Sequence, residues 1–358
     1  MNISEKAKQQ AESCRFCWMC RHVCPIGNAD GQERNNARAR ALMISLVCRG
    51  TEKLEDAASN IYECSLCGAC TNNCKTGWDP KIFIQEVKTQ IVLEGKVPED
   101  VAKVIDRLGE TGSPFEGDPS GLYAKHQEGK TLLLVGQAAA YKDPESVEKA
   151  IELLKKAGVD ARLDKQADET GFAYYFLTGK TEETLKKAKE SAAALKKYDN
   201  VIVYNPVELS FLLHQWREWG VELPVKPLAF HDALKDLIEK KKLVVRKSKR
   251  AYALQDCFAY ARELDDEKTA RSLIEACGER EEMLLIGKEA NLAGHLIMAE
   301  YMPKTIALVA KNRWINALNM HCHTLVCENP DEHVFLSATA PEGCRAITLE
   351  EMVLENLA

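Results

Sequence analysis

Eight cysteines in two runs constrain this chain more than anything else in it: Cys14, Cys17, Cys20 and Cys24, followed by Pro25, and then Cys64, Cys67, Cys70 and Cys74. Each run reads C-x-x-C-x-x-C-x-x-x-C. Neither core packing nor a disulfide framework requires that spacing twice. Thiolates two residues apart let one short loop wrap three corners of an iron-sulfur cube, while the fourth cysteine reaches away.

In bacterial two-cluster ferredoxins that fourth cysteine ligates the other cluster. On this rule Cys14, Cys17, Cys20 and Cys74 hold one [4Fe-4S] centre, and Cys64, Cys67, Cys70 and Cys24 hold a second. A structural zinc site takes four ligands, typically in two C-x2-C pairs, and leaves half of these cysteines without a purpose. Met1 to Ser13 is polar, without the apolar stretch of a secretory signal. Cysteines at this density therefore read as metal ligands in a reducing cytoplasm.

A chain of 358 residues, 46% hydrophobic, has length for two or three domains. Its net charge of -6 argues against nucleic acid as a main partner, since phosphate binding needs a basic surface. Nothing approaches 18 uninterrupted apolar residues, so no transmembrane segment is expected. The location expected is cytoplasmic, with room for peripheral association on the inner face of the cytoplasmic membrane.

Residues 1–108 read as an α-helical ferredoxin-like module. Asn36 to Arg49 has an apolar helical face that includes Ala37, Ala41 and Ile44 and stops at Gly50. Lys81 to Leu93 and Glu99 to Leu108 follow as helices, and Cys48 reads as a buried small residue. Residues 109–130, rich in Gly and Pro, read as a linker. Thr131 to Val135 then opens a pattern of short apolar runs alternating with helices. Asp143-Pro144 is a cap followed by Pro at the first helical position, and Val201 to Tyr204 reads as a buried parallel strand. Tyr252 to Leu254 and Ile306 to Val309 read as a weak repeat of these two strands. Residues 131–240 and 250–358 are thus expected to be two copies of an α/β unit with a parallel sheet, making the whole chain an α+β multidomain protein. The basic run between them, including Lys240, Lys241, Lys242, Arg246 and Arg250, reads as a solvated face.

The order of parts resembles the iron-sulfur subunits of anaerobic glycerol-3-phosphate dehydrogenase and glycolate oxidase, and the catalytic subunits of heterodisulfide reductases. In that family each α/β repeat carries one Cys after its first strand, then Cys-Cys-Gly, then C-P-G-C. Here Gly136-Gln137 and Asn205-Pro206-Val207-Glu208 stand at the first and last of these places in the first repeat. The second repeat has Cys257 and Ala276-Cys277-Gly278, and Lys311 to Trp314 is read as standing where C-x-x-C belongs. Two thiolates do not make such a ligand set, so Cys277 reads as a packing residue. His321, Cys322, His323, Cys327, His333 and Cys344 are metal-ligand types, but neighbours in an extended segment face opposite ways, and they read as loop or core side chains.

The resemblance implies an electron-transfer subunit without its own substrate site. It would relay electrons through two [4Fe-4S] clusters from a flavin-containing dehydrogenase, of the hydroxy acid or polyol phosphate class, to a quinone or ferredoxin-type acceptor. The degenerate repeats would dock the flavoprotein. The alternatives are a heterodisulfide-reductase-like catalyst working through Cys257 and Cys277, and a non-catalytic redox scaffold or sensor.

Overall fold

A computed structural model describes residues 2–15 and 17–358, which fall into two compact units. The first takes the N-terminal residues up to Phe115, together with Gly171–Leu185 and Ile297–Val309. It is built from helices Glu5–Glu12, Ala37–Cys48, Leu54–Tyr62, Ala69–Asn73, Lys81–Leu93 and Glu99–Thr111. Ser4 caps the first through the Ala7 amide, and Asn36 caps the second through that of Ala39, each satisfying an orphan donor. Ala7, Ala11 and Ala41 are fully buried. These small side chains let Glu5–Glu12 pack against both Ala37–Cys48 and Lys81–Leu93. Ile61, Phe83, Val87 and Ile91 fill the space between helices, each contributing roughly 1.5–3 kcal/mol by leaving water.

Two segments from far along the chain complete this unit. Helix Phe172–Thr178 packs on Lys81–Leu93 and Glu99–Thr111, and Tyr174 Oη donates to the Leu108 carbonyl at 3.0 Å. At its end Gly179, with φ +70°, approaches so closely that a Cβ would lie 2.6 Å from the Gln85 carbonyl oxygen. Only glycine meets both requirements. Tyr301 Oη donates to the Tyr62 carbonyl at 2.9 Å.

The second unit comprises Glu116–Thr170, Lys186–Leu296 and Ala310–Ala358. It holds two four-stranded parallel sheets of like order. Strands β1 (Thr131–Leu134), β2 (Ala161–Arg162), β3 (Asn200–Val203) and β4 (Pro227–Ala229) run β2-β1-β3-β4. Strands β5 (Ala251–Gln255), β6 (Glu279–Glu281), β7 (Thr324–Cys327) and β8 (Arg345–Thr348) run β6-β5-β7-β8. The central strands are continuous apolar runs, with Leu132 opposite Val201 and Leu254 opposite Val326, as a sheet covered on both faces requires. Helix Pro144–Lys156 packs on Leu349–Glu355, and Phe230–Glu239 on Thr269–Cys277. One apolar core consequently joins Leu133, Ile202 and Leu234 to Leu254, Ile274 and Met352.

Three local expectations are corrected. Ile306 to Val309 is not a strand but part of helix Pro303–Leu318, and the strand paired with β5 is β7. Four apolar residues in a row fit either period. Their burial decides for the helix, with Ile306, Val309, Ala310, Arg313, Trp314 and Ala317 buried while Leu308 is exposed. The segment after the second central strand is therefore Asn329-Pro330-Asp331-Glu332, not Lys311 to Trp314. It repeats the Asn-Pro-x-Glu of Asn205 to Glu208 after β3. Next, Asp143 stands at the N-cap position of Pro144–Lys156 without a capping hydrogen bond, because its carboxylate lies 2.6 Å from His333 Nδ1. Lastly, the stretch read as a linker holds the end of Glu99–Thr111 and a short helix, Ser120–Lys125. The basic run is solvated as expected, with its Lys and Arg residues exposed, although Arg246 N is tied to the Asn356 carbonyl at 2.8 Å.

Candidate functional site

The two cysteine runs share one backbone. The residue after the second cysteine is left-handed in both, Trp18 with φ 70° and Gly68 with φ 71°. Each opens a short helical turn that carries the third cysteine, Met19–Arg21 and Ala69–Asn73. The fourth cysteines also match, with φ/ψ of -76°/112° at Cys24 and -78°/116° at Cys74. Glycine adopts the left-handed region without penalty, whereas tryptophan does not. At Trp18 the ring is held by the Arg38 guanidinium, 3.7 Å from its centroid.

Cys24, Cys64, Cys67 and Cys70 line one cleft, with Pro25 and Arg40 in its wall. Leu66, with φ 57°, turns the Cys64–Gly68 loop so that its amide approaches Cys64 Sγ at 3.4 Å. Burial pushes the Cys24 thiol up against the lowering influence of Arg40, and Cys64 and Cys67 add to the rise. Cys70 is pushed well up by burial and by Cys64, Cys67 and Cys24. Buried thiols that raise one another's pKa hold their protons until a metal displaces them. Four sulfurs converging on one cleft fit the donor set of a [4Fe-4S] cluster.

Around the first run, burial pushes Cys20 up to about 11, with Cys14 and Cys24 close enough to raise it further. Cys14 is half-buried and Cys17 exposed. The helix Ala69–Asn73 packs on the Met19–Arg21 turn, which carries the end of the second run toward the first. Cys74 lies 3.2 Å from Thr76 Oγ1, and there the Thr76 hydrogen bonds outweigh burial and lower its pKa. Cys48, outside both runs, is half-buried at a helix end.

Two cations are buried beside the second run. Arg40 donates to the carbonyls of Asn60 at 2.8 Å, Asn35 at 3.3 Å and Glu63 at 2.9 Å. Lys88 is fully buried, donates to the Phe176 carbonyl at 2.8 Å and lies over the rings of Phe176 and Tyr62. Burial pulls Lys88 down to about 7, Cys64 opposing and Arg40 reinforcing the shift. Sequence reasoning missed both cations, since neither stands near a cysteine run.

In the second unit the residues singled out from the sequence disperse. Cys257, at the end of β5, accepts from Asn329 Nδ2 at 3.6 Å, whereas Cys277 lies in the shared apolar core, its thiol pushed up to about 12 by burial. Cys344 Sγ pairs with His323 Nδ1 at 3.5 Å, Cys322 Sγ donates to the Met320 carbonyl at 3.7 Å, Cys327 is a core strand residue and His333 is taken by Asp143. At the two Asn-Pro-x-Glu segments, Asn205 and Asn329 each accept from the amide two residues on, at 2.9 Å. Glu208 and Glu332 are buried behind them, and burial pushes each up to about 8.

The family model of the 4Fe-4S dicluster domain matches residues 10–78, which span both cysteine runs. No curated protein matches the chain. The N-terminal part is thus an iron-sulfur, ferredoxin-like domain that binds [4Fe-4S] clusters, which supports a role in electron transfer. Among the described residues no helix is long and apolar enough to cross a membrane.

Proposed function

We propose that the chain is the electron-transfer subunit of an oxidoreductase complex, passing electrons one at a time from a flavoprotein dehydrogenase of the hydroxy acid or polyol phosphate class to a quinone or ferredoxin-type carrier. The observation that carries this reading is the convergence of Cys24 with Cys64, Cys67 and Cys70 on one cleft. It supports ligand sets exchanged between the runs, with Cys14, Cys17, Cys20 and Cys74 holding one cluster and Cys64, Cys67, Cys70 and Cys24 the other. Clusters bridged through shared loops lie close together, as a relay requires. Bound [4Fe-4S] centres supply reversible one-electron chemistry at potentials set by charge, hydrogen bonding and solvent exposure. The chain's own contribution is to anchor through thiolates, keep water from the Cys24 side, and present Arg40 as fixed positive charge, with Lys88 charged where a cluster's negative charge stands beside it.

We read residues 1–108 as the cluster domain and 109–130 as the connection. Residues 131–240 and 250–358 are then a duplicated α/β domain whose cysteine signature has been replaced, each copy lending one segment, Gly171–Leu185 or Ile297–Val309, to the first unit. Asn205 and Asn329 act as helix caps, and Glu208 and Glu332 as buried carboxyls, where the related family uses thiolates. This disfavours disulfide-cleaving chemistry at Cys257 and Cys277 and leaves the α/β part as a docking body. The test is a Cys17→Ser or Cys67→Ser variant assembled with the flavoprotein. Flavin reduction by substrate persists and transfer to the acceptor is lost. Loss of flavin reduction itself would overturn the proposal.

A further inference from the structure

His231 is 2% exposed and begins the helix Phe230–Glu239 beside Asp232. Its Nδ1 lies 3.0 Å from Glu328 Oε1, a carboxylate itself 4% exposed. The ring is stacked on Tyr260 with centroids 3.8 Å apart. Orientation is therefore fixed on the edge and on the face. The other nitrogen, Nε2, makes no hydrogen bond among the described residues. It points at two carboxylate oxygens, Asp266 Oδ2 at 3.4 Å and Asp232 Oδ1 at 3.8 Å, beyond the usual hydrogen-bond range.

Those separations match the edges of a metal tetrahedron. Ligands at the ordinary Zn–N and Zn–O distances stand about 3.4 Å apart, and all three ligand atoms here lie within 4.8 Å of one another. His231 and Asp266 are held in place by contacts of their own. Asp266 uses its Oδ1 to accept from the Lys268 and Thr269 amides at 2.8 and 3.0 Å, which turns Oδ2 toward His231. Asp232 is placed by its position on the helix next to His231, with only a long contact from Thr269 Oγ1 at 3.4 Å. Glu328 on Nδ1 supplies the carboxylate–histidine–metal arrangement that orients a ligating imidazole. The Asp232 and Asp266 side chains are 47% and 26% exposed, leaving a path for an ion and a place for a water ligand.

We propose that His231 Nε2, Asp232 and Asp266 form a mononuclear site for a divalent first-row transition cation, with one or more waters completing the shell and Glu328 as the orienting carboxylate. The site belongs to the α/β unit and is independent of the electron-transfer reading. One nitrogen and two carboxylates suit zinc or manganese better than the all-oxygen shells of calcium and magnesium.

The test uses full-length protein purified anaerobically with its clusters intact and oxidised. Mn2+ is the probe, because it is hard and competes poorly for thiolates. Free Mn2+ is followed by electron paramagnetic resonance during titration. Wild-type protein is expected to take up one Mn2+ per chain, which one equivalent of Zn2+ displaces. Asp232→Asn, at a half-exposed position that does not threaten folding, weakens uptake by at least about tenfold, and Glu328→Gln weakens it roughly ten- to a hundredfold. Asp236→Asn, on the same helix and among the described residues paired with Lys240, leaves uptake unchanged, and iron content is equal in all variants. Absence of saturable uptake by the wild type, or uptake that Asp232→Asn leaves intact, would overturn the proposal in favour of an imidazolium held among three carboxylates.

Discussion

Cys24, the last cysteine of the first run, lines the same cleft as Cys64, the first of the second. The contact ties two loops that the chain separates by the helices Ala37–Cys48 and Leu54–Tyr62. It also makes the ligand exchange testable one residue at a time. If Cys24 serves the second centre, Cys24→Ser gives the same reduced electron paramagnetic resonance spectrum as Cys67→Ser and a different one from Cys17→Ser. Each variant retains about four of the roughly eight irons of two [4Fe-4S] clusters. A Cys24→Ser spectrum matching Cys17→Ser would return Cys24 to the first centre.

Among the described residues Lys88 has a carbonyl and two aromatic faces but no carboxylate as partner. A buried cation so placed costs stability unless negative charge stands nearby; a thiolate-bound cluster beside Cys64 would supply it and would keep charged an ammonium that burial pulls down to about 7. Its charge favours the more negative, reduced state of that cluster. A unit charge at roughly 10 Å, with an effective dielectric constant near 20, is worth on the order of 1.5 kcal/mol, which is about 60 mV for one electron. Lys88→Met is therefore expected to lower the midpoint potential of the second centre by about that amount and to move the first much less. A redox titration that finds both potentials unchanged would remove Lys88 from the account.

The parts of the fold that the sequence made legible are those in which local chemistry decides. The cysteine spacing, the helix read over Asn36 to Arg49 and the Lys81–Leu93 helix needed no knowledge of distant contacts. Ile306 to Val309 misled because a four-residue apolar run suits a strand as well as a helix. Which faces were buried depended on Trp314 and Ala317 beyond it. That one misplacement hid the second Asn-Pro-x-Glu segment. The His231, Asp232 and Asp266 group was invisible for a different reason, since Asp266 comes from a segment remote from the helix that carries His231 and Asp232, and no spacing announces the three together. Arg40 and Lys88 likewise reach the second run through tertiary packing alone.

Gly68 and Trp18 hold the same left-handed place in the two runs, so substitutions there have unequal consequences. Gly68→Ala forces a Cβ into that conformation and is expected to cost about 1–2 kcal/mol. Trp18→Gly relieves the strain while losing the Arg38 contact, worth about 0.5–1 kcal/mol at an exposed ring, and is nearly neutral. Denaturant unfolding of the cluster-loaded variants checks both. Equal losses at the two positions would show that the backbone match does not govern stability.

Glu208 is buried in the α/β unit, and burial pushes its carboxyl from the ordinary value up to about 8, with Thr170 opposing and Asp168 adding to the shift. The folded state thus binds a proton that the unfolded state has released once pH exceeds the usual glutamate range of about 4.3. Stability from this group is fully present below that value and declines as pH rises toward 8, at up to about 1.4 kcal/mol per pH unit. Asp168, pushed up to about 7 by burial, acts in the same direction. Glu208→Gln keeps the shape and removes the titration. It should leave the melting temperature nearly unchanged at pH 4 and raise it at pH 8, by about 2–4 °C for each kcal/mol recovered in a unit of this size. A variant whose melting temperature differs from the wild type by the same amount at both pH values would mean that the Glu208 carboxyl is not held protonated in the fold.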